Sequence, residues 1–263
     1  EASIRVDPKK NVYLVLQTTS TDIPTTPGAF DRTHNGKHDY YVCKLSAGGD
    51  KLIYGTYLGG SDYEYINTHN LAIDAEGNAY VSVVTGSKDF PTTEETFCRE
   101  RKGRNDIAVV KLAPAGALLR STLIGGSAQD NPDGIYVDTA GNVFLVGESG
   151  SPDFPTTPNA FQHKPGGRND AVAVVLSADF RRLLYATYLG GAANDSGRSG
   201  CLGPDGILYV TGSADGAGWP TRKPLQGSFA GGPAGWGAGD CILSKFKPVR
   251  PAEAEGNPDV PKP

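Results

Sequence analysis

A repeat is what most constrains this chain. The segment VDPKKNVYLV starting at Val6 returns as IDAEGNAYVS from Ile73, VDTAGNVFLV from Val137 and LGPDGILYVT from Leu202, spaced 67, 64 and 65 residues apart. Three further markers keep the same phase. DIPTT at Asp22 returns as DFPTT at Asp89 and Asp153, and more weakly as GWPT at Gly218. The strand-like segments HDYYVCKL, NDIAVVKL, NDAVAVVL and GDCILSKF are keyed by Asp39, Asp106, Asp170 and Asp240. KLIYGTYLGG, ALLRSTLIGG and RLLYATYLGG end at Gly60, Gly126 and Gly191, with no fourth copy. Such a period marks an architecture in which each unit buries its faces against its neighbours.

Each unit reads as four strands. The first is short (Ile4 to Asp7), and an Asp-x-x-Gly-Asn type of turn leads to the second. There the apolar run Val143, Phe144, Leu145 and Val146 lacks alternation, which calls for burial of both faces. A Pro-Thr-Thr connector leads to the third strand, and a tight turn to a fourth rich in Leu, Tyr and Thr. Sheets of this size with two apolar faces, set radially, make a β-propeller. The 35 Gly and 19 Pro among 263 residues leave little room for long helices. The expected fold is all-β: a four-bladed propeller of four-stranded antiparallel blades around a shallow channel. Its repeats run over about residues 3–69, 70–132, 133–198 and 199–247 within a propeller of residues 1–247. Residues 248–263, with five prolines, read as a linker or tail. The absent fourth Tyr-Leu-Gly-Gly strand leaves the last blade three-stranded, ending on Cys241, Ile242, Leu243, Ser244, Lys245 and Phe246. An edge of this kind takes a strand from a partner, another copy or further polypeptide, unless the Pro-rich tail shields it.

These residues resemble the bacterial SBBP β-propeller repeat, whose pattern combines Asp-x-x-Gly-Asn-x-Tyr-Val, Asp-Phe-Pro-Thr-Thr and Tyr-Leu-Gly-Gly. The resemblance covers about residues 3–246. It implies a propeller, commonly in secreted or cell-surface bacterial proteins and often as a module of a larger polypeptide. It implies no defined reaction and no catalytic residues. The chain departs from the pattern in holding four units, where the family name suggests seven blades, and in lacking the last strand.

Charge and cysteines narrow the function classes. Twenty-five Lys and Arg against 29 Asp and Glu give a net charge of −4, so the basic excess of a phosphate-gripping protein is missing. No apolar run approaches the roughly 18 residues of a membrane span. The chain starts at Glu1 and has no Met, as expected of a protein whose leader was removed or of a piece of a longer one. Cys43, Cys98, Cys201 and Cys241 form no C-x-x-C pair, so zinc ribbons, thioredoxin chemistry and haem attachment are unsupported. Disulfides and buried free thiols both stay open.

Candidate site residues come from the loops. In an up-and-down meander the Pro-Thr-Thr connectors share a rim with the loops after each Gly-Gly. Those loops carry Glu64, Asp130 and Asp195, each four residues past its second glycine. A ring of three carboxylates at a channel mouth would suit Ca²⁺, and the same residues also suit plain turn formation. Asp39, Asp106, Asp170 and Asp240 are placed to cap backbone N–H groups at a turn. Phe30, Phe97 and Phe161, which follow the Pro-Thr-Thr segments, are expected to plug gaps between blades. His34 and His38 fall in a polar loop where their spacing fixes no common face. The units differ most at Tyr63, Glu64 and Tyr65 and in the Gly-rich loop with Trp236, which marks these four as a binding rim. The function expected is a non-catalytic, cofactor-free, extracytoplasmic module that binds protein partners, such as an accessory subunit of a surface or periplasmic complex. The alternative is a carbohydrate-active or other hydrolytic enzyme using Glu64, Asp130 or Asp195 in carboxylate pairs about 5–10 Å apart. A rigid structural spacer is the third reading.

Overall fold

The computed structural model describes residues 2–65, 67–231 and 239–247, and these form strands, turns and no helix. Blade 1 holds β1 (Ala2–Val6), β2 (Val12–Thr18), β3 (Asp39–Leu45) and β4 (Leu52–Leu58) in that order. Blade 2 has its innermost strand in two pieces, β5 (Glu64–Tyr65) and β6 (Leu71–Ile73), both paired with β7 (Ala79–Thr85). Outside them lie β8 (Asp106–Leu112) and β9 (Leu118–Ile124). Blade 3 runs β10 (Asp130–Val137), β11 (Val143–Ser149), β12 (Asp170–Leu176) and β13 (Leu183–Leu189). Blade 4 has three strands, β14 (Asp195–Leu202), β15 (Leu208–Ala214) and β16 (Asp240–Phe246). All neighbouring strands are antiparallel. Four blades, the last with three strands, are what the repeat markers call for.

The markers now have physical reasons. In the first turn of each of the first three blades an Asp carboxylate holds an Asn. Asp7 accepts from the Asn11 amide and side chain at 2.8 Å each, and Asp74 does the same with Asn78 and Asp138 with Asn142. The Tyr13 hydroxyl then crosses from blade 1 to donate to the Gly77 carbonyl at 3.0 Å. Gly77 has φ +86°, and a Cβ there would lie 3.1 Å from that hydroxyl, so the turn favours glycine on both counts. The Pro-Thr-Thr connector runs along the outside of its own fourth strand. Thr26, Thr93 and Thr157 donate their amides to Gly55, Ser121 and Ala186 of β4, β9 and β13. Each complete blade thus covers its own outer edge.

Packing between blades supplies the cores. One core joins Tyr13, Val15 and Val42 of blade 1 to Val81, Val83 and Val110 of blade 2. A second joins Tyr80, Ile107 and Val109 to Leu145, Val174 and Leu176 of blade 3. A third joins Phe144, Val146 and Ala173 to Leu208 and Val210 of blade 4. Each such buried side chain contributes about 2 kcal/mol relative to exposure. A closed ring of four blades needs four junctions, and the described residues make three. The remaining apolar cluster, Tyr41, Cys43 and Tyr57 with Leu14 and Leu16, belongs to blade 1 alone. Among the described residues no apolar cluster joins blade 4 to blade 1.

One expectation is corrected here. Phe30 and Phe97 do pack against the first and second cores, and their amides donate to Gly116 and Phe180 in the turn before the next blade's fourth strand. Phe161 is instead 64% exposed. Its counterpart turn would follow β16, where blade 4 has no fourth strand among the described residues. All four cysteines are free thiols in the structure, and of them only Cys43 is buried.

Candidate functional site

Each carboxylate singled out as a metal ligand accepts from a backbone amide of its own Gly-Gly loop. Glu64 accepts from the Gly60 amide at 3.1 Å and from the Thr85 hydroxyl at 2.8 Å. Asp130 accepts from the Gly126 amide at 2.8 Å and from the hydroxyls of Ser149 and Ser151. Asp195 accepts from the Gly191 amide at 2.6 Å. Each side chain thus folds back onto the second glycine of its own Gly-Gly, and all three are buried. Among the described residues no three His, Cys, Asp or Glu come together as a metal ion requires. A shared cation ring of Glu64, Asp130 and Asp195 is not what their positions make.

A second carboxylate stands behind each of these. Asp39 accepts from the amides of Asn35 and Gly36, Asp106 from Lys102 and Gly103, and Asp170 from Gly166 and Gly167. This is the capping role expected at the start of each third strand. The first glycine of each Gly-Gly lies against that carboxylate. A Cβ on Gly59 would stand 2.6 Å from Asp39 Oδ1 and 2.7 Å from Glu64 Oε2. Only glycine fits, which explains the Tyr-Leu-Gly-Gly marker. Burial pushes the Asp130 and Asp195 carboxyls up to about 6, with Asp106 and Asp170 adding like-charge repulsion. Burial likewise raises Glu64, Asp39, Asp106 and Asp170. Paired carboxylates with one raised pKa resemble the equipment of a glycoside hydrolase. Here the arrangement repeats in three units and each pair holds backbone amides, which is a fastening role. Asp195 Oδ1, however, is buried without a hydrogen-bond partner among the described residues, and Asp195 lines the small hollow beside Glu148.

The rim residues divide. Tyr63 and Tyr65 stack at 5.6 Å with 13° between their planes, and His38 lies 5.1 Å from the Tyr63 ring. Lys37 sits 4.3 Å from the Tyr63 ring centre and pairs with Asp62 at 2.9 Å. Tyr65 is 41% exposed, so this is a surface of aromatic rings with a cation over one of them. Glu64 is 0% exposed and leaves the rim for the interior, because β5 alternates its side chains. Trp236 lies outside the described residues. Beside the rim, a groove of about 340 Å³ runs between blades 1 and 2, lined by Phe30, Asp31, Asn35, Ser61, Asp89 and Pro91. Its floor is fixed by Asp89, which accepts from the Ser61 amide and hydroxyl at 2.9 Å each.

Sequence reasoning missed one cluster. Glu148 on β11 accepts from Asn131 at 3.2 Å, and Arg198 of β14 lies 3.9 Å from Glu148 and 3.5 Å from Asp133. Burial raises the Glu148 carboxyl and Arg198 draws it back. The clue was that sibling units carry Gln17, Val84 and Ser213 at this position. The hollow beside it holds only about 10 Å³, enough for a water and too small for a substrate.

The edge segment Cys241 to Phe246 lies within β16, the outermost strand of blade 4, paired on its inner side with β15. No strand among the described residues pairs with its outer side. No helix there is long and apolar enough to cross a membrane.

Repeated four-stranded blades packed in series define a β-propeller module. The SBBP family model, described as a beta-propeller repeat, matches residues 53–91 and 120–155, so these two segments are similar to that repeat. No curated protein matches the sequence. Among solved structures, a crystal structure of glucose dehydrogenase is similar at 16% identity, covering 80% of this chain and 78% of its own, with a TM-score of 0.31. At that score the likeness carries no functional argument.

Proposed function

We propose that this propeller module is non-catalytic, acts outside the cytoplasm and works by docking protein partners within a larger assembly. The observation that carries the reading is the fourth-strand position of blade 4, which no described residue fills. In blades 1 to 3 that position is filled by β4, β9 and β13. In blade 4 the β16 edge stands without an outer strand among the described residues, and Phe161 is uncovered where Phe30 and Phe97 are packed. An edge with an adjoining aromatic is a receptor for β-strand addition, in which backbone pairing supplies affinity and side-chain pockets supply choice. The stacked Tyr63 and Tyr65 with Lys37 offer a second contact surface of the kind that dominates protein interfaces. Placement outside the cytoplasm rests on the resemblance to the SBBP repeat. No cofactor is required.

The test uses a peptide of residues 177–191, which spans the turn and fourth strand of blade 3. Calorimetry should show saturable one-to-one binding, weakened by Phe161→Ala. Absence of binding would remove the edge from the account. The hydrolytic alternative is tested by incubation with a glycan and ester panel. Turnover that disappears in Glu148→Gln or Asp130→Asn would replace the present reading.

A further inference from the structure

Blade 4 has lost the two hydroxyls with which blades 2 and 3 satisfy the carboxylate after Gly-Gly. In the pairing of first and second strands, Glu64 stands opposite Thr85, Asp130 opposite Ser149 and Asp195 opposite Ala214. Thr85 and Ser87 hydrogen-bond to Glu64, and Ser149 and Ser151 donate to the two oxygens of Asp130. The matching residues of blade 4 are Ala214 and Gly216, whose side chains carry no donor. Asp195 accepts from the Gly191 amide on Oδ2, and its Oδ1 is buried with no hydrogen-bond partner among the described residues. The residue as a whole is 2% exposed. A carboxylate oxygen taken out of water is costly unless a proton or a cation meets it.

The residue between those two positions changes in the opposite sense. Thr85-Gly86-Ser87 and Ser149-Gly150-Ser151 become Ala214-Asp215-Gly216. The backbone is held alike in all three, since the amides of Gly86, Gly150 and Asp215 donate to the carbonyls of Tyr63, Gln129 and Asn194. Asp215 thus adds a carboxylate where the other two blades have no side chain. Its Oδ1 is also buried and without a hydrogen-bond partner among the described residues, and its charge acts on Asp195. Both aspartates line one hollow of about 10 Å³ between blades 3 and 4, room for a single water or ion. Asn169, Asn194 and Ser213 line it too. So do Glu148 and Arg198, and there Glu148 has Arg198 as its counter-charge at 3.9 Å.

We propose that this hollow is a Ca²⁺ site, with Asp195 Oδ1 and Asp215 Oδ1 as its charged ligands and the side-chain oxygens of Asn169, Asn194 and Ser213 as neutral ones. Two carboxylates match a divalent charge. The lining offers oxygen and no thiolate or imidazole, which selects a hard cation over zinc or copper. Ca²⁺ takes amide, hydroxyl and water oxygens as readily as a third carboxylate, whereas Mg²⁺ gives up its waters reluctantly and would need to shed them here. The site is not a ring of Glu64, Asp130 and Asp195, because the first two keep their hydroxyl donors and blade 4 has exchanged its own for a second acid. The ion fastens blade 4 to blade 3, so it adds a ligand to the module and no reaction.

The test titrates Ca²⁺ into the chelator-stripped full chain by calorimetry, with the thermal midpoint as a second readout. The wild type should bind one equivalent with a dissociation constant of about 10⁻⁴–10⁻³ M, and its midpoint should rise with Ca²⁺. Mg²⁺ should bind at least about tenfold more weakly. Asp215→Asn should weaken Ca²⁺ binding at least about tenfold, since it removes one of two charged ligands. Asp205→Asn, at an exposed acid of the same blade outside the hollow, should leave binding unchanged. Ala214→Ser combined with Asp215→Gly restores the residues of blade 3, so this double variant should fold without Ca²⁺ and its midpoint should no longer respond to the ion. Absence of saturable binding, binding unaltered in Asp215→Asn, an equal loss in Asp205→Asn, or a double variant that still responds to Ca²⁺ would overturn the proposal.

Discussion

Asp130→Asn isolates the energetic cost of a buried fastener. Asp130 is 0% exposed, and burial holds its carboxyl at about 6 against an ordinary 3.8. Between those values the folded chain keeps a proton that the unfolded chain has released. The folded state therefore binds more protons, and stability falls as pH rises. The loss begins near 3.8 and is complete above about 6. About two pKa units correspond to roughly 3 kcal/mol. Asparagine keeps the shape: its carbonyl accepts the Gly126 amide, and the Ser149 hydroxyl rotates to accept from its NH₂. Urea unfolding of both proteins across that pH range is the assay. The stability of Asp130→Asn relative to wild type should climb by about 3 kcal/mol from acid to neutral pH. Asp195, whose carboxyl is tied by like-charge repulsion to Asp170 and not to Asp130, titrates in both proteins and cancels in the difference. A difference that stays constant with pH would refute the reasoning, because Asp130 would then ionise alike in both states.

The remaining predictions concern junctions and turns. Tyr13→Phe removes a fully buried bond to the Gly77 carbonyl and should cost about 1–2 kcal/mol in denaturant unfolding. Gly116→Ala sets a Cβ 2.7 Å from the Tyr54 ring at a φ of +88°, and should cost about 2–3 kcal/mol by the same assay. Phe97→Asp should lower the thermal midpoint sharply, since it strips a side chain from the second core. Phe161→Asp should leave the midpoint within a degree or two, equivalent to about 0.5 kcal/mol.

Much of the fold was legible because each marker is a local device that recurs. The Asp-to-Asn turns, the Pro-Thr-Thr connectors and the Gly-Gly pairs all reflect contacts made in nearly the same way in successive blades. Asp39, Asp106 and Asp170 could be assigned to capping for that reason. The roles of Glu64, Asp130 and Asp195 were less legible. Four residues beyond a Gly-Gly they read as loop tips, and nothing local shows that Thr85, Ser149 and Ser151 wait a strand away with donors. Glu148 went unseen because its partners Asn131, Asp133 and Arg198 come from two other strands. Whether the blades close on themselves depends on the curvature accumulated across junctions. The apolar pattern of Val12, Leu14 and Leu16 looks the same whether a blade covers it or not.

Hydrogen exchange on β16 tests the docking account most directly. In the isolated chain, the β16 amides that point away from β15 should exchange quickly, while those of β15 stay slow. Adding the peptide of residues 177–191 should slow the β16 set and leave blades 1 to 3 unchanged. Slow exchange at β16 before the peptide is added, or fast exchange that the peptide does not alter, would contradict a strand-accepting edge on blade 4.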